Sequence, residues 1–154
     1  MTVSVTSRRL TAAALSAAAA TAAIAVPAFA ADHRAPRASV QISRVQYDSP
    51  GRDDRSIRSL NQEWVDITNN TRRAVNLDGW TLSDRAGHTY TFHHYRLDGR
   101  STVRVHTGIG RDSRHDLYQD RRAYVWNNIA DTATLRNNHH QYVDSVAWGG
   151  YRHR

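Results

Sequence analysis

From residue 40 onward, apolar residues recur at every second position in short runs closed by Gly, Asn, Asp or Pro. Val40 and Ile42 share one parity and Val45 and Tyr47 the other, which predicts a strand with a bulge near Ser43-Arg44, closed by Ser49-Pro50-Gly51. Arg52 to Ser59 mixes three arginines with two aspartates and reads as an exposed loop. A strand over Glu63–Ile67 ends at Asn69-Asn70, and Val75 and Leu77 lead to an Asp78-Gly79 turn. Trp80 and Leu82 alternate with polar residues, and Ala86-Gly87 turns into a strand over His88–Phe92. Asp98-Gly99 precedes Val103 and Val105, and Gly108-Ile109-Gly110 ends that run. Arg111 to Arg122 is too polar for a core element. Ala133 and Leu135 start a strand that turns at Asn137-Asn138, and Gln141–Trp148 is the last one. No apolar period of 3.6 persists over three turns after the first thirty residues. Seven or eight short strands with one wet face each predict an all-β sandwich or barrel with antiparallel sheets.

The first thirty residues follow another pattern. Arg8 and Arg9 precede an uncharged, alanine-rich run from Leu10 to Val26, then Pro27 and the small-x-small site Ala28-Phe29-Ala30. That order predicts a cleavable export signal over residues 1–30, and a secreted or cell-envelope location. The run is short and weakly apolar for a membrane anchor. The expected organisation is signal 1–30, a flexible basic leader 31–38, one domain over 39–149 and a basic tail 150–154. There is no cysteine, so thiolate metal sites and disulfide staples are excluded and the domain rests on its core alone. A domain of this size buries enough surface for that.

The strands also carry a resemblance. Val45-Gln46-Tyr47-Asp48-Ser49-Pro50-Gly51, then Asn61 to Asn69 with Glu63-Trp64-Val65-Asp66-Ile67, then Val75-Asn76-Leu77-Asp78-Gly79-Trp80 resemble successive strands of a lamin tail domain. So do Asp84 through Gly87 to Tyr90 and Phe92, and Val105 to Gly110. Trp126-Asn127-Asn128-Ile129-Ala130-Asp131-Thr132-Ala133-Thr134-Leu135, followed by Val143-Asp144-Ser145, is the most specific block. The resemblance implies an immunoglobulin-like β-sandwich, with Gly51, Glu63, Trp64, Gly79, Trp80, Gly87, Gly108, Trp126, Asn127, Asn128 and Asp131 as its structural motif. With no coiled-coil rod in the sequence, it is to the free-standing exported bacterial members. Such domains also occur fused to exported nucleases, which implies a recruiting role. Ala130 departs from the pattern, standing where these domains commonly carry glycine.

With only two Phe and one Met in the chain, Trp64, Trp80 and Trp126 are read as core, against the competing reading of an exposed platform for a carbohydrate or base. Trp148 stands between the two. Gly79 and Gly87 are turn positions that tolerate positive φ. Asn127, Asn128 and Asp131 are read as Asx turns on their own loop rather than as a polar site. Nine histidines invite a catalytic or metal reading, but His93-His94 and His139-His140 are adjacent pairs whose side chains leave a strand on opposite faces. His88 lacks an acidic partner in sequence. Glu63 is the only glutamate, and Asp53-Asp54 suggests at most a weak Ca²⁺ site. No metal, cofactor or catalytic residue is assigned. A hydrolase or nuclease built from loop His and Asp, or an accessory domain of one, is the alternative.

Charge adds one direction. All 21 basic residues are arginine, and without residues 1–30 the balance is 19 against 14, or +5. Arg72, Arg73, Arg121 and Arg122 are the candidate anion contacts, for a polymer such as DNA or a cell-wall polyanion. The competing reading is codon bias, and aspartates beside Arg52, Arg55, Arg111 and Arg114 imply self-neutralising loops. Protonation of all nine histidines would take the balance from +5 to +14, so binding is expected to strengthen in acid. The expected function is a monomeric, non-catalytic binding module that recognises a protein or an anionic polymer.

Overall fold

The computed structural model describes residues 38–150. The predicted signal, the leader up to residue 37 and the tail beyond Gly150 lie outside the described residues. In chain order the elements are β1 (Val40–Gln46), α1 (Ile57–Leu60), β2 (Trp64–Asn69), β3 (Val75–Asn76), β4 (Thr81–Ser83), β5 (Thr89–Thr91), β6 (Arg96–Leu97), β7 (Thr102–His106), β8 (Asp116–Tyr118), β9 (Asp131–Arg136) and β10 (Tyr142–Trp148). One four-stranded sheet runs β1-β2-β7-β8 and a second β10-β9-β4-β5, while β3 and β6 form a two-stranded ribbon.

The period-two pattern builds the core directly. Val40 and Ile42 of β1, Val65 and Ile67 of β2, and Val103 and Val105 of β7 point inward from the first sheet. They meet Leu82 of β4 and Ala133 and Leu135 of β9, with Phe92, Leu97 and Trp126 from connecting segments and the ribbon. Burial contributes about 1.5–3 kcal/mol for each large apolar side chain. The register of β1 on β2 shifts between Ile42 and Arg44, the bulge that its change of parity predicts. Two apolar-faced sheets of this kind make an all-β, immunoglobulin-like sandwich. Among the described residues no helix is long and apolar enough to cross a membrane.

Three segments differ from the sequence reading. The stretch read as a loop over Arg52–Ser59 runs into α1, whose N-cap Ser56 accepts a hydrogen bond from Ser59 N–H and whose Leu60 is buried. Four residues are too few to show a helical period. The polar stretch Arg111–Arg122 contains β8, which buries Leu117 and pairs in parallel with β7, so the sheets are not wholly antiparallel. A three-residue strand with one apolar residue has no alternation to detect. The ribbon strand β6 was missed for the same reason.

The tryptophans separate. Trp126 is 2 % exposed, while Trp80 and Trp148 are half-buried and pack against the core. Trp148 stacks on Tyr47, with ring centroids 4.8 Å apart. Trp64, read as core, is instead on the outer face of the first sheet, because Val65 and Ile67 take the inward parity of β2. Arg104 lies over its ring, 3.4 Å from the centroid, and is held there by bonds from Nε and Nη2 to Asp66 at 2.8 and 2.9 Å. Trp64→Ala is therefore expected to cost about 1 kcal/mol, the scale of a surface cation–π contact. Urea unfolding measures it, and a loss of several kcal/mol would return Trp64 to the core.

Candidate functional site

Glu63 stands just before β2 and is fully buried. Its Oε1 accepts the N–H groups of Val125, at 3.0 Å, and of Trp126. Burial pushes its carboxyl up to about 7, against the downward pull of the Trp126 and Val125 N–H bonds. Glu63 Oε2 and Thr107 Oγ1 are buried without a hydrogen-bond partner. Glu63 thus fastens the start of the segment 125–131 to the first sheet.

Asp131 fastens its end. Its Oδ1 accepts from Arg85 N–H at 2.9 Å and Thr132 N–H at 2.7 Å, and its Oδ2 from Asn127 N–H at 3.0 Å. Asn127 Oδ1 accepts from Ile129 N–H at 2.8 Å, an Asx turn, and Asn128 Nδ2 donates to Asp48 at 3.0 Å. Asn127 and Asp131 are thus spent on loop backbone, whereas Asn128, read as an Asx turn, instead ties the loop to the Asp48 side chain. Gly51, Gly79 and Gly87 lie in the left-handed region, at φ +99°, +75° and +95°. At Gly79 a side chain would also press on Asn138, 3.2 Å from the site of a Cβ. Gly108 abuts Leu60 and Asn61 with no room for a Cβ. Ala130 fits because its neighbour is Gly149, where a Cβ would come within 2.6 Å of the Ala130 Cα.

Beside this segment lies a cleft of ≈ 620 Å³, with Asp53, Arg85, His88, Tyr124 and Ile129 on its walls. His88, read as lacking an acidic partner, has one: its Nδ1 is 2.6 Å from Oδ2 of the buried Asp84, and its backbone N–H donates to Oδ1 at 2.7 Å. The turn at Ala86-Gly87 brings them together across four residues. His93, His94, His139 and His140 are exposed, and His106 bridges the Asn61 carbonyl and Asp116 at 2.7 and 3.0 Å. Among the described residues no group of three or more His, Asp or Glu is placed to hold a metal ion. Asp54 accepts Ser56 N–H at 2.9 Å, at the start of α1, rather than facing a cation site.

The four candidate arginines do not come together. Arg72 abuts Gly99 beyond the C-terminal end of β2, whereas Arg121 and Arg122 lie beside α1, before its start. The length of the six-residue strand, about 20 Å, separates the pairs. Arg121 and Arg122 instead join Arg55 around a hollow of ≈ 280 Å³ floored by Ile57, Leu60 and Ile109. On the other side of α1, Arg52 and Arg58 line a second hollow of ≈ 200 Å³ together with the Asp54 carboxylate, which is engaged by Ser56 N–H. Among the described residues none of these five arginines has an ion pair within 4.0 Å; Arg104 alone does. Arg121 Nη2 donates to the Thr89 carbonyl at 3.0 Å, which leaves its charge uncompensated. Ile57 stands 55 % exposed between them. Arg52 and Arg55 are read from sequence as neutralised by the adjoining Asp53 and Asp54, yet those carboxylates make no ion pair with them, and Arg58 is not singled out by the sequence at all.

Two packed sheets with loops pinned by the buried carboxylates of Glu63 and Asp131 define an immunoglobulin-like domain in which these carboxylates serve the architecture. The chain belongs to the lamin tail domain family, whose sequence profile, described as Lamin Tail Domain, matches residues 33–150. That family is one of non-enzymatic, immunoglobulin-like interaction domains. No curated protein matches the chain in sequence.

Proposed function

We propose that this lamin tail domain is an exported interaction module that binds an anionic polymer through the arginines around α1. The observation that carries the reading is the set Arg52, Arg55, Arg58, Arg121 and Arg122, all without ion pairs on the two hollows that flank one helical turn. Guanidinium forks suit phosphate or carboxylate oxygens, and α1 is tied to the body through Ser59 Oγ and the Tyr124 hydroxyl at 2.7 Å. The test is retention on immobilised DNA and on a teichoic-type polymer, at low and moderate salt. Retention indifferent to salt would overturn it. Export makes its own prediction: protein recovered from culture medium begins at Ala31 or one residue later, and an intact Met1 would refute it.

The Asp84–His88 pair on the cleft of ≈ 620 Å³ favours a second reading, a hydrolase in which the buried carboxylate orients the imidazole. Incubation with DNA and Mg²⁺ or Ca²⁺ separates the two. A binding module leaves the DNA intact, whereas degradation that survives repurification and is lost in His88→Ala establishes the hydrolase.

A further inference from the structure

The two large sheets have four edges, and three are occupied. β1 and β10 lie against each other, with Ile42 N–H donating to Asp144 at 2.8 Å. The edge of β8 is filled by the loop before it: Tyr118 N–H donates to Asp112 Oδ1 at 2.9 Å, Ser113 N–H to the Asp116 carbonyl at 2.7 Å, and Asp116 N–H to Ser113 Oγ at 2.9 Å. The fourth edge is β5. His88 O accepts Asp84 N–H at 3.1 Å and Phe92 N–H donates to Trp80 O at 2.9 Å, so the even-numbered residues bond to β4. Antiparallel pairing alternates, and the main-chain groups of Thr89 and Thr91 therefore point away from the sheet. One donor already sits there, the Arg121 guanidinium on Thr89 O at 3.0 Å, where an added strand would place an N–H.

Along this edge runs a polar slot of ≈ 390 Å³ lined by Tyr90, His93, Asp112, Tyr118 and Asp120. Among the described residues neither Asp112 nor Asp120 has an ion pair, in a chain with a large excess of arginine. Burial first, and then the charges of Asp112 and Asp120, push the Tyr90 phenol above its ordinary value. The slot is thus a negative site on a positive domain, and it adjoins unpaired strand backbone.

We propose that β5 accepts an extended segment of a partner protein, paired main chain to main chain at Thr89 and Thr91, with its Lys or Arg side chains against Asp112 and Asp120. Backbone bonds would supply general affinity and the carboxylates the preference for a basic strand. The two surfaces prefer ligands of opposite sign and meet only at Arg121, which belongs to the α1 set and sits on Thr89 O. Asp112, Asp120 and the Thr91 N–H take no part in the α1 site, so tests on those three groups bear on this proposal alone.

The probe is a labelled peptide of alternating lysine and valine, with the glutamate–valine peptide as control, read by fluorescence anisotropy on the whole domain. The lysine peptide is expected to bind and the glutamate peptide not. Thr91→Pro removes an outward N–H without touching the β4 ladder and is expected to weaken binding by about tenfold. Asp112→Asn with Asp120→Asn is expected to weaken it most at low salt. Amide exchange on the unmutated protein provides the check that needs no variant: the peptide should slow exchange at Thr89 and Thr91. Absence of binding, or protection elsewhere on the domain, overturns the proposal. Concentration-dependent dimerisation abolished by Thr91→Pro would assign the edge to a second copy and overturn it equally.

Discussion

Glu63→Ala is expected to cost the domain about 4 kcal/mol, while Glu63→Gln should stabilise it above neutral pH. The alanine variant leaves the buried N–H groups of Val125 and Trp126 without an acceptor, at about 1–3 kcal/mol each, and adds a cavity. Glutamine keeps the Oε1 acceptor and brings its NH₂ toward the unpartnered Thr107 hydroxyl, with no charge to bury. The pH dependence has a fixed sign. The folded carboxyl titrates at about 7, above the ordinary 4.5, so the folded state holds its proton more tightly than the unfolded chain. Stability on this account is fully present below pH 4.5 and is lost as pH rises through 7, by about 3 kcal/mol in all. Urea unfolding of the unmutated domain and Glu63→Gln from pH 4 to 8 isolates the contribution, since every other titrating group is shared. Parallel stability–pH curves would mean that Glu63 is ionised and solvated in the fold.

Glu63 also marks where sequence stops being legible. Its position was readable as a motif residue, but burial of the chain's single glutamate at the start of a strand is a tertiary fact. The strands with alternating positions, β1, β2, β7 and β9, could be placed from period two alone, because register decides which face each side chain takes. β6 and β8 were not, since two or three residues hold too little pattern. Trp64 shows the limit within a legible strand. Size argued for the core, yet the parity of Val65 and Ile67 sent it outward, and parity is the stronger constraint. The glycines at 51, 79 and 87 were legible because positive φ is a local demand. The Asp84–His88 pair was not, because a turn made the contact. Nor was the arginine site, since adjacent opposite charges in sequence need not meet in space. Arg52 and Arg55 flank Asp53 and Asp54 along the chain without forming one ion pair with them.

That failure of neighbouring charges to pair sets the size of the salt effect. Each phosphate neutralised contributes about −0.9 to the slope of log affinity against log salt on duplex DNA, so five arginines imply a slope between about −4 and −5. Between about 50 and 200 mM salt, affinity should therefore fall by about 10²–10³-fold. Combining Arg55→Ala, Arg58→Ala and Arg122→Ala should remove about three of those contacts and flatten the slope toward −2. Arg72→Ala with Arg73→Ala, at the far end of β2, should leave it unchanged, which separates a localised site from general positive charge. Acid should matter less than the composition implies. No histidine lines either hollow at α1: His106 reaches only the Asn61 carbonyl at the end of α1, and His88, His93 and the 139–140 pair belong to other parts of the domain. Lowering pH from about 7.5 to 5.5 then acts only through the long-range field, which is damped beyond about 10 Å at 0.1 M salt. Equal slopes for the triple variant and the Arg72/Arg73 control would show that the arginines act as a diffuse charge, and the α1 site would fall. A strong gain in acid would point the same way, because it would require the scattered histidines to touch the polymer.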